Sequence, residues 1–197
     1  MDKNKILIFP TDTVYGIGTH FLNHEGVKKI YEIKGRDFNK PLQILVSSLD
    51  QVKDFVELSE EAYKLAQAYW PGALTIIVSA NEKFYQLTGD KTIGLRMPNH
   101  PKAIQILNQY GPMKTTSVNQ SGEPPMNDYQ AIYDKYHHLV DEIYTNEEPM
   151  SEVSSTVINL AKNPYEIIRI GNISVEDIKK TLSKWVFFMH IIMDMIK

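Results

Sequence analysis

Cationic and hydroxyl-bearing side chains recur at the ends of apolar runs in this chain, and together they could bind an anionic substrate. Lys34 and Arg36 follow a helical pattern, and Arg96 ends an apolar run just before a proline. A guanidinium can donate two parallel hydrogen bonds to a planar carboxylate or to a phosphate. Such cations also cap helices or form surface ion pairs, so the residue types alone leave both alternatives open.

Two polar stretches that end in glycine directly follow predicted strands. Residues 10–18, PTDTVYGIG, follow the apolar run 6–9, and a second stretch ends the strand that begins at Met113. The proline ends the first strand, and the glycines permit close backbone approach or a positive φ. Open α/β sheets bind ligands beyond their strand ends, although no Walker motif occurs. For 10–18 an Asx-type turn followed by a helix is the alternative.

The size and composition of the chain indicate one globular domain. Its 197 residues suffice for one substantial core, and its 43% hydrophobic and 23% charged residues are ordinary for a soluble protein. The net charge of -3 argues against strong autonomous binding to nucleic acid. The absence of cysteine excludes disulfides and thiolate metal sites and is consistent with the cytoplasm. No apolar stretch is long enough to span a membrane.

Hydrophobic periodicity predicts alternating helices and strands that position these polar groups. Ser48 and Ser59 are predicted to cap helices, and Ser174 with Asp177 forms a capping box. Trp70 is predicted to anchor the core. Helices are expected at 24–34, after Ser59, at 101–110, at 128–140 and after Ser174, and strands at 6–9, 42–46, 74–78, 92–97, from 113, at 154–160 and at 166–170.

The carboxyl-terminal residues 185–197 are strongly apolar and are treated as a separate segment from the domain at 1–184. They are too short to span a membrane and too apolar to remain solvated. We expect them to pack on the domain or on a partner subunit. Their deletion is then expected to unfold or aggregate the protein.

Seven short motifs occur in one order along the chain. They are PTDTVYGIG, KGR with KPL, WPGALT, GLRMP, SVN with its SG, SSTVINL and RIG. Over about residues 6–173 they resemble the threonylcarbamoyl-AMP synthases, the YrdC/Sua5/TsaC family, in its short single-domain form. The resemblance implies an α+β fold in three layers, with a twisted mixed β-sheet flanked by helices and a concave face where the motifs converge.

The resemblance also implies an activity. The expected enzyme is a nucleotidyltransferase that makes L-threonylcarbamoyl-AMP from L-threonine, bicarbonate or CO2, and ATP, with release of pyrophosphate. Other proteins would transfer the threonylcarbamoyl group to the adenosine at position 37 of tRNAs that read ANN codons, and tRNA itself is a further candidate partner of the enzyme. Mg2+ would arrive with ATP without dedicated protein ligands, and the enzyme would be cytoplasmic.

The motif positions imply site residues. Lys34 and Arg36 are predicted to be catalytic, because they would supply fixed positive charge where two anionic substrates meet. The residues expected to bind L-threonine are Thr13, Tyr15, Arg96, Thr116 and Ser155, and those expected to bind ATP are Arg36, Lys40, Ser117, Asn119 and Arg169.

The chain departs from the family pattern at several positions, and other functions remain open. The usual proline after KGR is Asp37, and a histidine common after KPL is Leu45. One alternative is a non-catalytic YrdC-like module that binds double-stranded RNA or tRNA, although both KGR and SVN are present. Another is the carbamoyl-adenylate chemistry of hydrogenase maturation, which is normally accompanied by zinc-finger cysteines that this chain lacks.

Overall fold

A nine-stranded sheet runs through the part of the chain that the computed structural model describes, residues 2–183. Its strands are β1 (Ile6–Phe9), β2 (Gly16–His20), β3 (Gln43–Leu45), β4 (Leu74–Ser79), β5 (Thr92–Arg96), β6 (Met113–Ser117), β7 (Glu142–Ile143), β8 (Thr156–Asn159) and β9 (Glu166–Arg169). The helices are α1 (His24–Lys34), α2 (Glu60–Tyr69), α3 (Glu82–Thr88), α4 (Pro101–Tyr110), α5 (Tyr129–Tyr136) and α6 at 175–183. The apolar segment 185–197 lies outside the described residues.

The sheet is mixed, and its strands follow the order β7-β1-β2-β6-β3-β5-β4-β8-β9. Three pairs are parallel, namely β1 with β7, β3 with β5 and β4 with β8, and the other neighbours are antiparallel. With helices packed on both faces of β1, this arrangement confirms the predicted α+β fold around a mixed sheet. No helix among residues 2–183 is long and apolar enough to cross a membrane.

Local sequence explains the helix that leads into the KGR motif. The side chain of Asn23 accepts a hydrogen bond from the backbone N–H of Gly26 and so caps α1. Gly35 ends the helix in the left-handed region, with φ of 56°, which glycine adopts without strain. The predicted bounds of this helix, 24–34, are confirmed, and Lys34 and Arg36 flank the turn at its end.

The first polar stretch was predicted to be a loop over residues 10–18, but its last residues belong to a strand. Residues 16–20 form β2, which pairs with both β1 and β6. A Cβ atom at Gly16 would lie 2.8 Å from Cγ2 of Thr115, so this glycine allows close approach of β6 rather than a positive φ. The polar connection is therefore limited to residues 10–15, and the alternative of a helix is wrong.

Other elements confirm or correct the predictions. Ser59 caps α2, and Ser174 and Asp177 form the expected capping box. Ser48 precedes only a short 3-10 turn and its side chain makes no capping hydrogen bond. The helix predicted at 128–140 ends at Tyr136, and α3 and β7 were not predicted. Trp70 packs against the core, and its indole nitrogen donates to the carbonyl of Leu74 at 2.7 Å.

One half of the sheet is covered by helices on both faces, whereas the other half has an open face. In β1, Ile8 packs toward α1 and α5, while Leu7 packs toward α4. In β3, β4 and β5, the core side chains Ile44, Ile76 and Leu95 pack with α2, α3 and α6. Alternate residues of those strands point to the opposite face, because successive side chains of a strand alternate. That face is the floor of a cavity.

Candidate active site

A cavity of about 400 Å³ lies over the open face of the sheet. None of its lining residues belongs to a helix of the described chain; they come from strands and connecting loops. Eight predicted site residues line it: Thr13, Arg36, Lys40, Arg96, Thr116, Ser117, Ser155 and Arg169. The structure therefore brings together predicted residues from six of the seven motifs, and Thr75 of the seventh, WPGALT, lines the cavity as well. These residues are far apart in the sequence.

Positive charge is concentrated in this cavity. Arg36, Lys40, Arg96 and Arg169 line it, whereas no aspartate or glutamate of the described chain does. Burial lowers the pKa of Arg169, and the nearby charge of Arg36 lowers that pKa further. A cleft lined by charges of one sign attracts ligands of the opposite sign. A protein with a net charge of -3 thus presents a local site for anionic ligands.

Arg96 is fixed at one end of the cavity, with 2% of its surface exposed. Its Nε donates to the carbonyl of Gly72 at 3.0 Å, Nη1 to Oγ1 of Thr13 at 2.7 Å, and Nη2 to Oδ1 of Asp12 at 2.6 Å. Burial lowers the pKa of Arg96, and Asp12 opposes this shift. Three of the five guanidinium N–H groups are therefore used by the protein, and two are left for a ligand.

Lys34 lies behind the cavity wall rather than in it. Only 2% of its surface is exposed, and Nζ donates to the carbonyl of Ser117 at 2.5 Å, to that of Asn119 at 2.8 Å and to Oδ1 of Asn119 at 2.9 Å. Burial lowers the pKa of Lys34 to about 8, with a contribution from Arg36. The three hydrogens of its ammonium group match these three acceptors. Lys34 thus joins the end of α1 to residues 117–122, the stretch that contains the SVN and SG motifs and is called the SVN loop below.

Asn119 also lies behind the wall, and it stabilises the loop after β6. Its Oδ1 accepts from the hydroxyl of Ser117 at 2.6 Å. Its Nδ2 donates to the carbonyls of Gln120 and Glu123 at 2.8 and 2.7 Å. The loop is attached to α1 again where the N–H of Ser121 donates to the carbonyl of Lys34 at 2.9 Å. The cavity is therefore lined by Ser117, while Asn119 sets its position.

Tyr15 was expected to bind L-threonine, but its side chain does not reach the cavity. It is fully buried in a core cluster with Tyr136 and does not line the cavity. Burial raises its pKa to about 12, with smaller effects from Tyr129 and Asp128. Its neighbours Thr13 and Val14 line the cavity instead, because the connection turns into β2 at this point.

The RIG motif holds the entrance of β8 in place. Arg169 donates from Nε to the carbonyl of Ser155 at 2.9 Å and from Nη2 to its hydroxyl at 3.1 Å. A Cβ atom at Gly171 would overlap the carbonyl oxygen of Ser154 and lie 2.7 Å from the backbone nitrogen of Thr156. These are backbone atoms, which cannot rotate away. Glycine is therefore required here for close approach of two backbone segments.

Replacing Gly171 by alanine is expected to destabilise the protein by about 1–3 kcal/mol, because the added methyl group displaces the backbone at Ser154 to Thr156. Urea denaturation measures this change. Gly94→Ala is the matched control, since its Cβ would meet only side-chain atoms at 3.6 Å or more. Equal midpoints for the two variants would show that the segment after Arg169 adjusts freely.

Several residues of the site were not predicted from the sequence. Asp12 pairs with Arg96, and Gln43, Thr75 and Gly94 lie on the cavity floor. The available signal was a polar residue inside an apolar strand, as for Gln43 before Ile44-Leu45-Val46. Within residues 2–183, no group of three or more His, Cys, Asp or Glu side chains is placed to hold a metal ion.

The comparisons with known proteins agree with this architecture. A family model named for Sua5, YciO and YrdC, and described as telomere recombination, matches residues 1–171. The threonylcarbamoyl-AMP synthase of Pyrococcus abyssi is 33% identical over 186 residues, which are 92% of this chain and 55% of that protein. The synthase of Bacillus subtilis is 32% identical over 185 residues, which are 91% of this chain and 54% of that protein.

A solved structure has the same fold. The crystal structure of P. abyssi Sua5 complexed with L-threonine matches with a TM-score of 0.84 and 34% identity, over 91% of this chain and 54% of that one. The chain thus spans about half the length of these relatives. Because the family model covers most of the chain, we conclude that this protein belongs to the Sua5/YciO/YrdC family.

Proposed function

We propose that this chain synthesises L-threonylcarbamoyl-AMP from L-threonine, bicarbonate or CO2, and ATP, and releases pyrophosphate. The observation on which this depends is a single cavity lined by four cations and no carboxylate of the described chain. The relatives named threonylcarbamoyl-AMP synthase support the proposal, as does the P. abyssi Sua5 structure that contains L-threonine.

The reaction requires two anions to meet. The amine of threonine adds CO2 and loses a proton, which gives a carbamate. A carbamate oxygen then attacks the α-phosphorus of ATP in line, the bond to the β-phosphate oxygen breaks, and pyrophosphate leaves with the electron pair. The nucleophile is already anionic, so fixed positive charge and positioning matter more than a general base.

The cavity provides suitable groups for both substrates. We assign the carboxylate of threonine to the two free N–H groups of Arg96, which Asp12 and Thr13 hold in place. The phosphates of ATP are assigned to Arg36, Lys40 and Arg169. Three further predicted site residues also line the cavity: Thr116, Ser117 and Ser155.

The two residues predicted to be catalytic receive different roles in this proposal. Arg36 lines the cavity and is held by hydrogen bonds to the carbonyls of Lys40 and Pro41, at 2.9 and 3.3 Å. Its charge can therefore act on the phosphates directly. Lys34 instead holds the backbone of the SVN loop, so we assign it a positioning role.

Mg2+ and the later steps are part of the proposal. Because no carboxylate of the described chain lines the cavity, Mg2+ would be held by ATP phosphates and water, as is common for this ion. The product is a mixed anhydride that other proteins would use to modify adenosine 37 of tRNAs reading ANN codons, in the cytoplasm. The alternative of an RNA-binding module is not favoured, since the cations line one concave cavity of about 400 Å³ rather than an extended surface.

Pyrophosphate release by the purified full chain tests this function. With ATP, Mg2+ and bicarbonate, release is expected to depend on L-threonine and to be much slower with L-serine. Omission of bicarbonate, with dissolved CO2 removed, is expected to reduce the rate to background. Release that no amino acid stimulates, from protein shown to be folded, would reject the synthase function.

A further inference from the structure

Gln43 is a polar residue on the floor of the cavity, in the middle of an apolar run. Its Oε1 accepts a hydrogen bond from the hydroxyl of Thr75 at 2.7 Å. Its Nε2 forms no hydrogen bond with any residue in the described part of the chain. This nitrogen is not one of the side-chain atoms there that are both buried and unpaired, so it is accessible from the cavity. Two amide hydrogens are therefore available to a ligand in the cavity.

Gly94 lies beneath the contact between Gln43 and Thr75. Gln43 lies in β3 and Thr75 in β4, and β5 separates these two strands in the sheet. A Cβ atom at Gly94 of β5 would lie 3.6 Å from Cγ2 of Thr75 and 3.7 Å from Cβ of Gln43. Both distances are ordinary van der Waals contacts, so Gln43 and Thr75 meet above β5 over a position that also has room for an alanine methyl group. The floor is thus formed by a cross-strand hydrogen bond.

The hydrogen bond to Gln43 is the last in a series that begins at Arg169 and passes through Ser155 and Thr75. Arg169 can only donate, so the hydroxyl of Ser155 accepts from its Nη2 at 3.1 Å. Thr75 gives its one hydroxyl hydrogen to Gln43, so the 2.9 Å bond between Thr75 and Ser155 must be donated by Ser155. The hydrogens of both hydroxyls are then used within the protein. The amide of Gln43 is the group at the end of this series that still has free donors.

We propose that Gln43 is a further substrate-binding residue, whose Nε2 donates to an anionic oxygen of the amino-acid substrate, either the carboxylate or the carbamate formed from it. This inference rests on the proposed function. Gln43 and the fixed cation Arg96 lie on the neighbouring strands β3 and β5 and both line the cavity. A neutral donor beside a cation, with no lining carboxylate in the described chain, suits an oxygen that carries negative charge.

The dependence of pyrophosphate release on L-threonine tests this role. In Gln43→Met the KM for L-threonine is expected to rise by about tenfold to a hundredfold, since a hydrogen bond to a charged group is lost. In Gln43→Glu the rise is expected to be larger, because a carboxylate then faces an anion. The exposed Gln105→Glu is the matched control and is expected to keep the wild-type KM. The KM for ATP is expected to change much less than that for threonine.

A measurement on the wild-type chain makes the test independent of the variants. Titration with L-threonine is expected to shift the side-chain amide signals of Gln43 in a nitrogen–proton correlation spectrum, while those of Gln105 stay in place. A Gln43→Glu variant with the threonine KM of the Gln105→Glu control, or an unshifted Gln43 signal at saturating threonine, would overturn the assignment of Gln43 but not the synthase function. A folded wild-type chain without threonine-dependent turnover would overturn both.

Discussion

Replacing Arg96 by methionine is expected to destabilise the fold by about 3–5 kcal/mol and to abolish measurable binding of L-threonine. The side chain of Arg96 is 3% exposed and that of Asp12 is 17% exposed, so the variant would leave a carboxylate largely buried without its partner. Thr13 would lose its donor as well, and the carbonyl of Gly72 would lose the hydrogen bond from Nε. The free energy of unfolding in urea measures the first effect, and calorimetric titration with L-threonine measures the second.

A double-mutant cycle separates the ion pair from the binding role. Asp12→Asn removes the negative charge, so the combined variant Asp12→Asn with Arg96→Met is expected to recover part of the lost stability. Threonine binding is not expected to recover, because the guanidinium is still missing. If Arg96→Met kept both the wild-type stability and the wild-type threonine affinity, the contacts of Arg96 would have neither of the roles assigned here.

Local signals predicted much of this fold because they depend on near neighbours in the sequence. Helix α1 was predicted from its periodicity, and Ser59 was predicted to begin α2, which its hydrogen bond to the N–H of Ala62 confirms. Family motifs predicted eight residues of the cavity, which the structure then brings together. These motifs could be recognised without knowledge of the sheet order.

Tertiary contacts decided what the sequence did not show. The glycines of β2 disfavour a strand in isolation, and their purpose is visible only once Thr115 of β6 is placed beside them. Lys34 was predicted to act on the substrates, but its three acceptors come from a loop more than 80 residues later. Tyr15 was expected near the cavity, although its side chain packs in the core.

The cavity floor illustrates the same limit. Gln43, Thr75 and Ser155 belong to segments that are far apart in the chain. Gln43 and Thr75 meet across β5, and Ser155 reaches Thr75 because it precedes β8, which pairs with β4. Periodicity could have shown that Gln43 and Thr75 occupy apolar strands, but not that they share one face. Strand order is set by non-local pairing, which a single sequence does not reveal.

Replacing Lys34 by methionine is expected to lower the rate of pyrophosphate release by about a hundredfold and the stability by about 3 kcal/mol. The change removes the donor for three acceptors on Ser117 and Asn119 and so releases the SVN loop that lines the cavity. Lys29→Met, at an exposed position of the same helix, is the matched control and is expected to change neither quantity. Wild-type rates for Lys34→Met at saturating ATP would contradict the positioning role.

The titration of Lys34 provides a separate test of that role. Its pKa is lowered from 10.5 to about 8 by burial and by Arg36. Between these values the unfolded chain binds more protons than the folded one, so this group's contribution makes the fold more stable as pH rises from about 8 to 10.5. The neutral amine has only two hydrogens for three acceptors, so activity is expected to fall over the same range. If activity falls with rising pH while the stability difference between wild type and Lys34→Met grows, the activity is lost through the SVN loop. If activity and this stability difference fall together, the protein unfolds instead.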